Sequence, residues 1–142
     1  MDELTVFVFE GQELSVRCRR TELKENIAPG VYCDGYDFVG DPSRDLGMIH
    51  FAPGCRTPLQ LVLEGTLTVE KHVSGKGWLF IERASGDAES HPVGFNGESG
   101  LQVGVNIGDI MQWVAANDSE LVVAEVCYPP YPETPNRYKN LS

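Results

Sequence analysis

Ten short runs rich in β-branched and aromatic residues, separated by turn signals, leave this chain little choice but a β fold. The runs are LTVFVF (4–9), ELSVRC (13–18), VYCDGYDF (31–38), LGMIHFA (46–52), LQLVL (59–63), TLTVEKHV (66–73), GWLFIER (77–83), LQVGVNI (101–107), DIMQWVA (109–115) and ELVVAEVC (120–127). Fifteen glycines and nine prolines supply the turns between them. One segment, RRTELKEN (19–26), reads as a helix, and Ala-Pro-Gly closes it. Because no helix of ten or more residues alternates with the strands, an α/β layout is excluded and an all-β barrel or sandwich is expected. SGDAESHPVGFNGESG (85–100) is expected to be a loop or loose hairpin between barrel halves, either a solvated connector or a lid.

Length and charge narrow the class further. At 142 residues the chain is expected to be one domain, 1–142, with a core that needs no staples. No apolar run approaches the roughly 20 residues that cross a bilayer, and Met1, Asp2 and Glu3 make an acidic start unlike a signal peptide. A cytoplasmic protein without a membrane partner is expected. Eleven basic against twenty-one acidic residues give a formal charge of -10, which repels phosphate backbones, so no nucleic-acid partner is expected. Cys18, Cys33, Cys55 and Cys127 form no C-x-x-C pair and read as reduced, mostly buried thiols; Cys55, beside Arg56, is also weighed as a reactive thiol.

The stretch PGCRTPLQLVLEGTLTVEKHVSGKG (53–77) carries the most specific pattern. Gly54 opens it, Glu70 stands seven residues before Gly77, and SGKG (74–77) closes it; NIGDIMQWVAANDSELVVAEV (106–126) adds a Gly108-Asp109 step before a strand. These features resemble the two signatures of the cupin superfamily, over about the last hundred residues. The resemblance implies an all-β, antiparallel cupin-like barrel of the jelly-roll type. In that family a His-x-His pair, a glutamate and a later histidine hold a divalent metal inside the barrel. Here Gln60 and Val62 stand at the paired-histidine positions, and Asp118, Ser119 and Glu120 near the third. No metal and no other cofactor are therefore expected. A register taking VLEG (62–65) as the first turn also leaves the histidine positions empty.

Three histidines remain: His50, His72 and His91. Residues two apart on a strand share a face, so Glu70 and His72 project together. If Glu70 takes the inward position that the resemblance implies, the two form an acid-base pair inside the barrel, the expected catalytic residues. The alternative is a polar face turned to solvent with Thr66 and Thr68. His50, Gln60 and Trp113 are the expected substrate-binding residues, and His91, before Pro92, is expected to be solvent-exposed. The tail CYPPYPETPNRYKNLS (127–142) resembles the ends of many single-domain cupins; its residues 128–142 are expected to pack on the barrel and cover an edge.

The expected partner is a small molecule inside the barrel. A metal-independent isomerase or epimerase acting on a sugar or small polar metabolite is the leading expectation. A non-catalytic ligand-binding module is the alternative, and a metal-dependent dioxygenase with Gln60, Glu70 and His72 as atypical ligands is the second. The apolar strand 4–9 is a sheet edge that needs cover, so a homodimer is expected.

Overall fold

The computed structural model describes residues 3–9, 13–97 and 101–142. Twelve strands make two antiparallel sheets. They are β1 (Glu3–Phe9), β2 (Glu13–Ala28), β3 (Val31–Phe38), β4 (Asp41–Phe51), β5 (Gln60–Val62), β6 (Leu67–Gly75), β7 (Gly77–Glu82), β8 (Ala88–Val93), β9 (Gln102–Val105), β10 (Ile110–Ala115), β11 (Leu121–Tyr128) and β12 (Tyr138–Asn140). The larger sheet runs β1-β2-β3-β4-β11-β6-β9 and the smaller β12-β5-β10-β7-β8. The core lies between them: Val31, Ile49, Phe51, Leu121 and Val123 from the larger sheet meet Val62, Leu79, Ile81, Met111 and Trp113 from the smaller. Each such fully buried side chain contributes about 2 kcal/mol relative to exposure. A second apolar cluster, Cys18, Phe38, Leu46, Met48, Ala124 and Val126, forms on the opposite face of the larger sheet, as alternation along β4 and β11 requires.

Two segments differ from the sequence-based expectation. Residues 19–26 are strand, the far half of β2, and not a helix. The physical reason lies in their alternation: Thr21, Leu23, Glu25 and Ile27 are half-buried while Glu22, Lys24 and Asn26 are exposed, a period of two that a helix cannot satisfy. In β2, residues 21–23 bulge against the single Gly35 of β3, between the rungs Arg20↔Tyr36 and Lys24↔Asp34. Thr21 Oγ1 braces the bulge by accepting the Leu23 N–H at 3.2 Å. The expected 85–100 loop is also partly strand. Its residues 88–93 form β8, paired along the whole of β7, and 98–100 lie outside the described residues.

The chain's end returns to the smaller sheet. After a single 3-10 turn at Tyr131–Glu133, β12 adds its edge to β5, with Asn140 opposite Gln60 and Tyr138 opposite Val62. Arg137, only 1% exposed, anchors this return. Its guanidinium donates to Thr68 Oγ1 at 2.8 Å, to the Leu67 carbonyl at 2.9 Å, to Thr134 Oγ1 at 3.0 Å and to the Pro129 carbonyl at 3.1 Å. A Cβ on Gly65 would sit 2.5 Å from that guanidinium, so only glycine leaves it room.

Candidate functional site

The inward face of β6 carries Thr68, Glu70 and His72, all buried, in strict alternation with half-buried Leu67, Val69 and Lys71. Glu70 and His72 thus point into the barrel, and the solvent-facing alternative for that face does not hold. Glu70 is 0% exposed. Its Oε1 accepts the Trp113 indole N–H at 2.8 Å, a bond from one sheet to the other across the core. Its Oε2, also buried, meets no N–H or O–H donor. A second acid stands beside it: Glu125 on β11 is the direct cross-strand partner of Glu70, and the two side chains are hydrogen-bonded to each other. Two carboxylates can bond in this way only by sharing a proton.

Burial pushes the Glu70 pKa well up, and the charge of Glu125 and the hydrogen bond to it push the same way; the Trp113 N–H and the charge of Arg137 only partly oppose them. These effects together favour the neutral, protonated form of Glu70. Glu125 Oε1 collects two further donors, the Tyr138 hydroxyl at 2.8 Å and the Cys127 thiol at 3.7 Å. The result is a relay in which Trp113 donates to Glu70, and Glu70, Tyr138 and Cys127 converge on Glu125.

Glu125 lines a cavity of about 160 Å³ between the sheets. Leu23, Glu25 and Ile27 of β2, Cys33 of β3, Asp45 and Gly47 of β4, Gln60 of β5 and Tyr131 and Tyr138 from the tail complete much of its wall. The β2 segment expected to be helical thus supplies three lining residues, which it does because strand alternation turns them inward. Gly47 lies under the Cys33 thiol, 2.8 Å from where a Cβ would be, so any larger residue there would displace the wall. Burial raises the Asp45 pKa to about 6, helped by the charge of Glu125, although Asp45 Oδ1 accepts the Tyr131 N–H at 2.9 Å. Burial and then the negative charge of Glu25 raise the Tyr131 phenol, whose hydroxyl is hydrogen-bonded to Glu25. Burial and then Glu125 raise Tyr138 and both cavity thiols, Cys33 and Cys127.

Of the sequence-derived residues, the structure brings Glu70 and Trp113 into contact and places Gln60 on the cavity wall beside Glu125's side of the barrel. His72 stands apart, with Nε2 at 2.9 Å from the Gly75 carbonyl. A carbonyl only accepts, so Nε2 carries the hydrogen, and the buried Nδ1 has no donor. His50 is on the other face of its sheet: it stacks on its cross-strand partner Tyr32 at 4.7 Å and lies 3.9 Å from Asp34, in a surface groove with Asn26 and Glu120. His91 is half-buried, bonded to Glu89 at 2.9 Å, where solvent exposure was expected. Glu125, Asp45, Glu25, Tyr131 and Tyr138 were missed. For Glu125 the signal was present: it is the lone charge in LVVAEVC, and an acid inside an apolar strand is either paired or neutral.

Among the described residues, no group of three or more His, Cys, Asp or Glu side chains is placed to hold a metal ion. No known family's sequence profile matches the chain. No curated protein matches it either. Solved structures do match. A cupin-2 domain protein from Rhodospirillum rubrum superposes with TM-score 0.58 at 16% identity, over 78% of this chain and 69% of that one. The chain has the cupin fold. CapF, solved with the inhibitor 3-isopropenyl-tropolone, aligns at TM-score 0.59 and 18% identity over 78% of this chain, and recombinant oxalate oxidase at 0.52 and 13% over 61%. This cupin-fold chain spans 32% of the length of CapF and 42% of that of oxalate oxidase.

Proposed function

We propose that this cupin-fold protein binds a small polar metabolite between its sheets and moves a proton on it without a metal, as an isomerase or epimerase. The observation that carries this reading is the hydrogen-bonded Glu70–Glu125 rung, whose Glu125 stands in the wall of the cavity between the sheets. A buried acid whose pKa is raised, hydrogen-bonded to a second acid at a cavity wall, is ordinary equipment of acid-base catalysis. Glu125, at the cavity wall, takes a proton from a substrate carbon next to a carbonyl group; it then returns a proton to the neighbouring carbon or oxygen, so that no proton is gained or lost overall. Glu70 stays neutral behind it, and the Tyr138 hydroxyl keeps the Glu125 carboxyl oriented. At a water's share of about 30 Å³ in the liquid, the cavity of about 160 Å³ takes about five waters, the size of a short sugar.

The test is hydrogen exchange on substrate. Small α-hydroxy carbonyl compounds such as glyceraldehyde and erythrose are incubated with the protein in deuterated water and followed by proton NMR. Exchange at the carbon beside the carbonyl is expected, slowed about 10² to 10⁴-fold in Glu125→Gln. Equal rates in the two proteins, or saturable binding with no exchange, would leave a binding module as the better description. The metal-dependent dioxygenase has no assembled ligand set among the described residues. We also propose a homodimer paired through β1, the outermost strand of the larger sheet. Sedimentation at micromolar concentration showing monomer alone would remove it.

A further inference from the structure

The polar groups around the cavity divide into engaged and unengaged sets. On the larger sheet the acids are engaged by the protein itself: Glu125 accepts from the Tyr138 hydroxyl and the Cys127 thiol, Asp45 from the Tyr131 N–H, and Glu25 is bonded to the Tyr131 hydroxyl. The Cys33 thiol donates to the Asp34 carbonyl at 3.8 Å. The smaller sheet brings two carboxamides to the same cavity, Gln60 of β5 and Asn140 of β12. They are direct cross-strand partners, so their Cβ atoms lie about 5 Å apart and both side chains leave the same face. Neither amide group is hydrogen-bonded to a described residue. Gln60 is half-buried and Asn140 exposed. Two adjacent amides, each with two N–H donors and one carbonyl, therefore face the cavity from the sheet opposite Glu125.

We propose that Gln60 and Asn140 form a clip for a vicinal diol, so that the cavity takes a neutral polyhydroxy compound by its hydroxyl end and turns the other end toward Glu125. This rests on the functional reading above for its cavity and deepens it by naming the class of substrate. A carboxamide sets an acceptor beside donors, and neighbouring hydroxyls answer with a donor beside an acceptor, so each amide is satisfied on both its atoms. An anion would engage only the amide N–H groups, and a cation only the carbonyls. Because both amides stand on the smaller sheet and Glu125 on the larger, a ligand held in the clip spans the space between the sheets.

Erythritol, a short polyol with no carbonyl group and so no proton to exchange beside one, tests the clip apart from the chemistry. Titrated into the isotope-labelled full chain, it should shift the side-chain amide signals of Gln60 and Asn140 saturably in NMR spectra. It should also bind about tenfold more tightly than butane-1,4-diol, which lacks neighbouring hydroxyls. Gln60→Leu and Asn140→Leu should each erase that preference, whereas Asn136→Leu, at an exposed amide of the tail outside the cavity wall, should keep it. Should Gln60→Leu fail to fold, the shifts in the parent and the exposed Asn140→Leu change still decide. No saturable shift at the two amides, equal affinity for the two alcohols, or the same loss in Asn136→Leu would overturn the inference. Erythritol preference without hydrogen exchange on erythrose would leave the clip standing and remove the isomerase; exchange on erythrose at the same rate in the parent and Asn140→Leu, with no amide shifts, would do the reverse.

Discussion

Two buried carboxyl groups in this barrel, Asp109 and Glu70, stand in similar seclusion and behave in opposite ways. Asp109 opens β10 and is saturated with donors: the Ala84 N–H at 2.9 Å, the Asn106 N–H at 2.9 Å and the Arg83 guanidinium at 3.0 Å. Burial pushes its pKa up, but those N–H groups and the Arg83 charge outweigh burial, and the net shift is downward. Glu70 has one donor, Trp113, and faces another acid, so burial and like charge act together to raise it. Seclusion alone therefore does not decide whether an acid is a fastener or a reagent. The supply of donors does.

The largest test of that contrast is Asp109→Asn. An amide nitrogen in place of an acceptor oxygen opposes its donors and strips Arg83 of a charged partner, so about 3 kcal/mol of stability should be lost in chemical denaturation. A loss within error of zero would mean that the cluster fastens nothing.

Asp45 lies between the two extremes, with one backbone donor and a pKa near 6 against an ordinary 3.8. Its folded pKa lies above its unfolded one, so its contribution to stability is fully present below about pH 4 and is lost as pH rises through about 6. Glu70 acts in the same direction and Asp109 in the other. Asp45→Asn should remove this dependence: between pH 4 and pH 7 the variant should gain on the parent by at most about 3 kcal/mol, read from paired unfolding curves. Parallel curves would refute the assignment.

The smallest expected change is Glu70→Gln. A neutral carboxyl becomes a neutral amide whose oxygen still accepts from Trp113 and whose nitrogen donates to Glu125, so stability should move by less than about 1 kcal/mol. A loss as large as that of Asp109→Asn would show that Glu70 is ionised in the folded protein, and the shared proton would have to be abandoned.

How much of this was legible beforehand varies by region. The strand rhythm put Glu70 and His72 on one face, and the cupin resemblance implied that this face is the inward one; β6 alternates residue by residue with that face buried. Residues 19–26 misled because RRTELKEN is mostly made of good helix formers, and intrinsic propensity is a weak guide where a neighbouring strand offers pairing on either side of a bulge. His50 was grouped with the binding residues, yet the face of the strand, not the residue type, decides what a side chain sees. His50 sits one residue out of phase with inward Ile49.

The sequence by itself determined the all-β class, the turn positions, the loss of the paired histidines at Gln60 and Val62 and that Glu70 and His72 share one face of their strand, because each follows from local chemistry and a period of two; which face that is came from the packing. The partner of Glu70 was decided only in three dimensions. Glu125 lies 55 positions further along the chain and comes opposite Glu70 through the β6–β11 register. Tyr131, Tyr138 and Asp45 join it because the tail folds back on Arg137 and β4 lies against β11. Pairing between distant strands is set by which core buries best as a whole, and no window of sequence contains that sum.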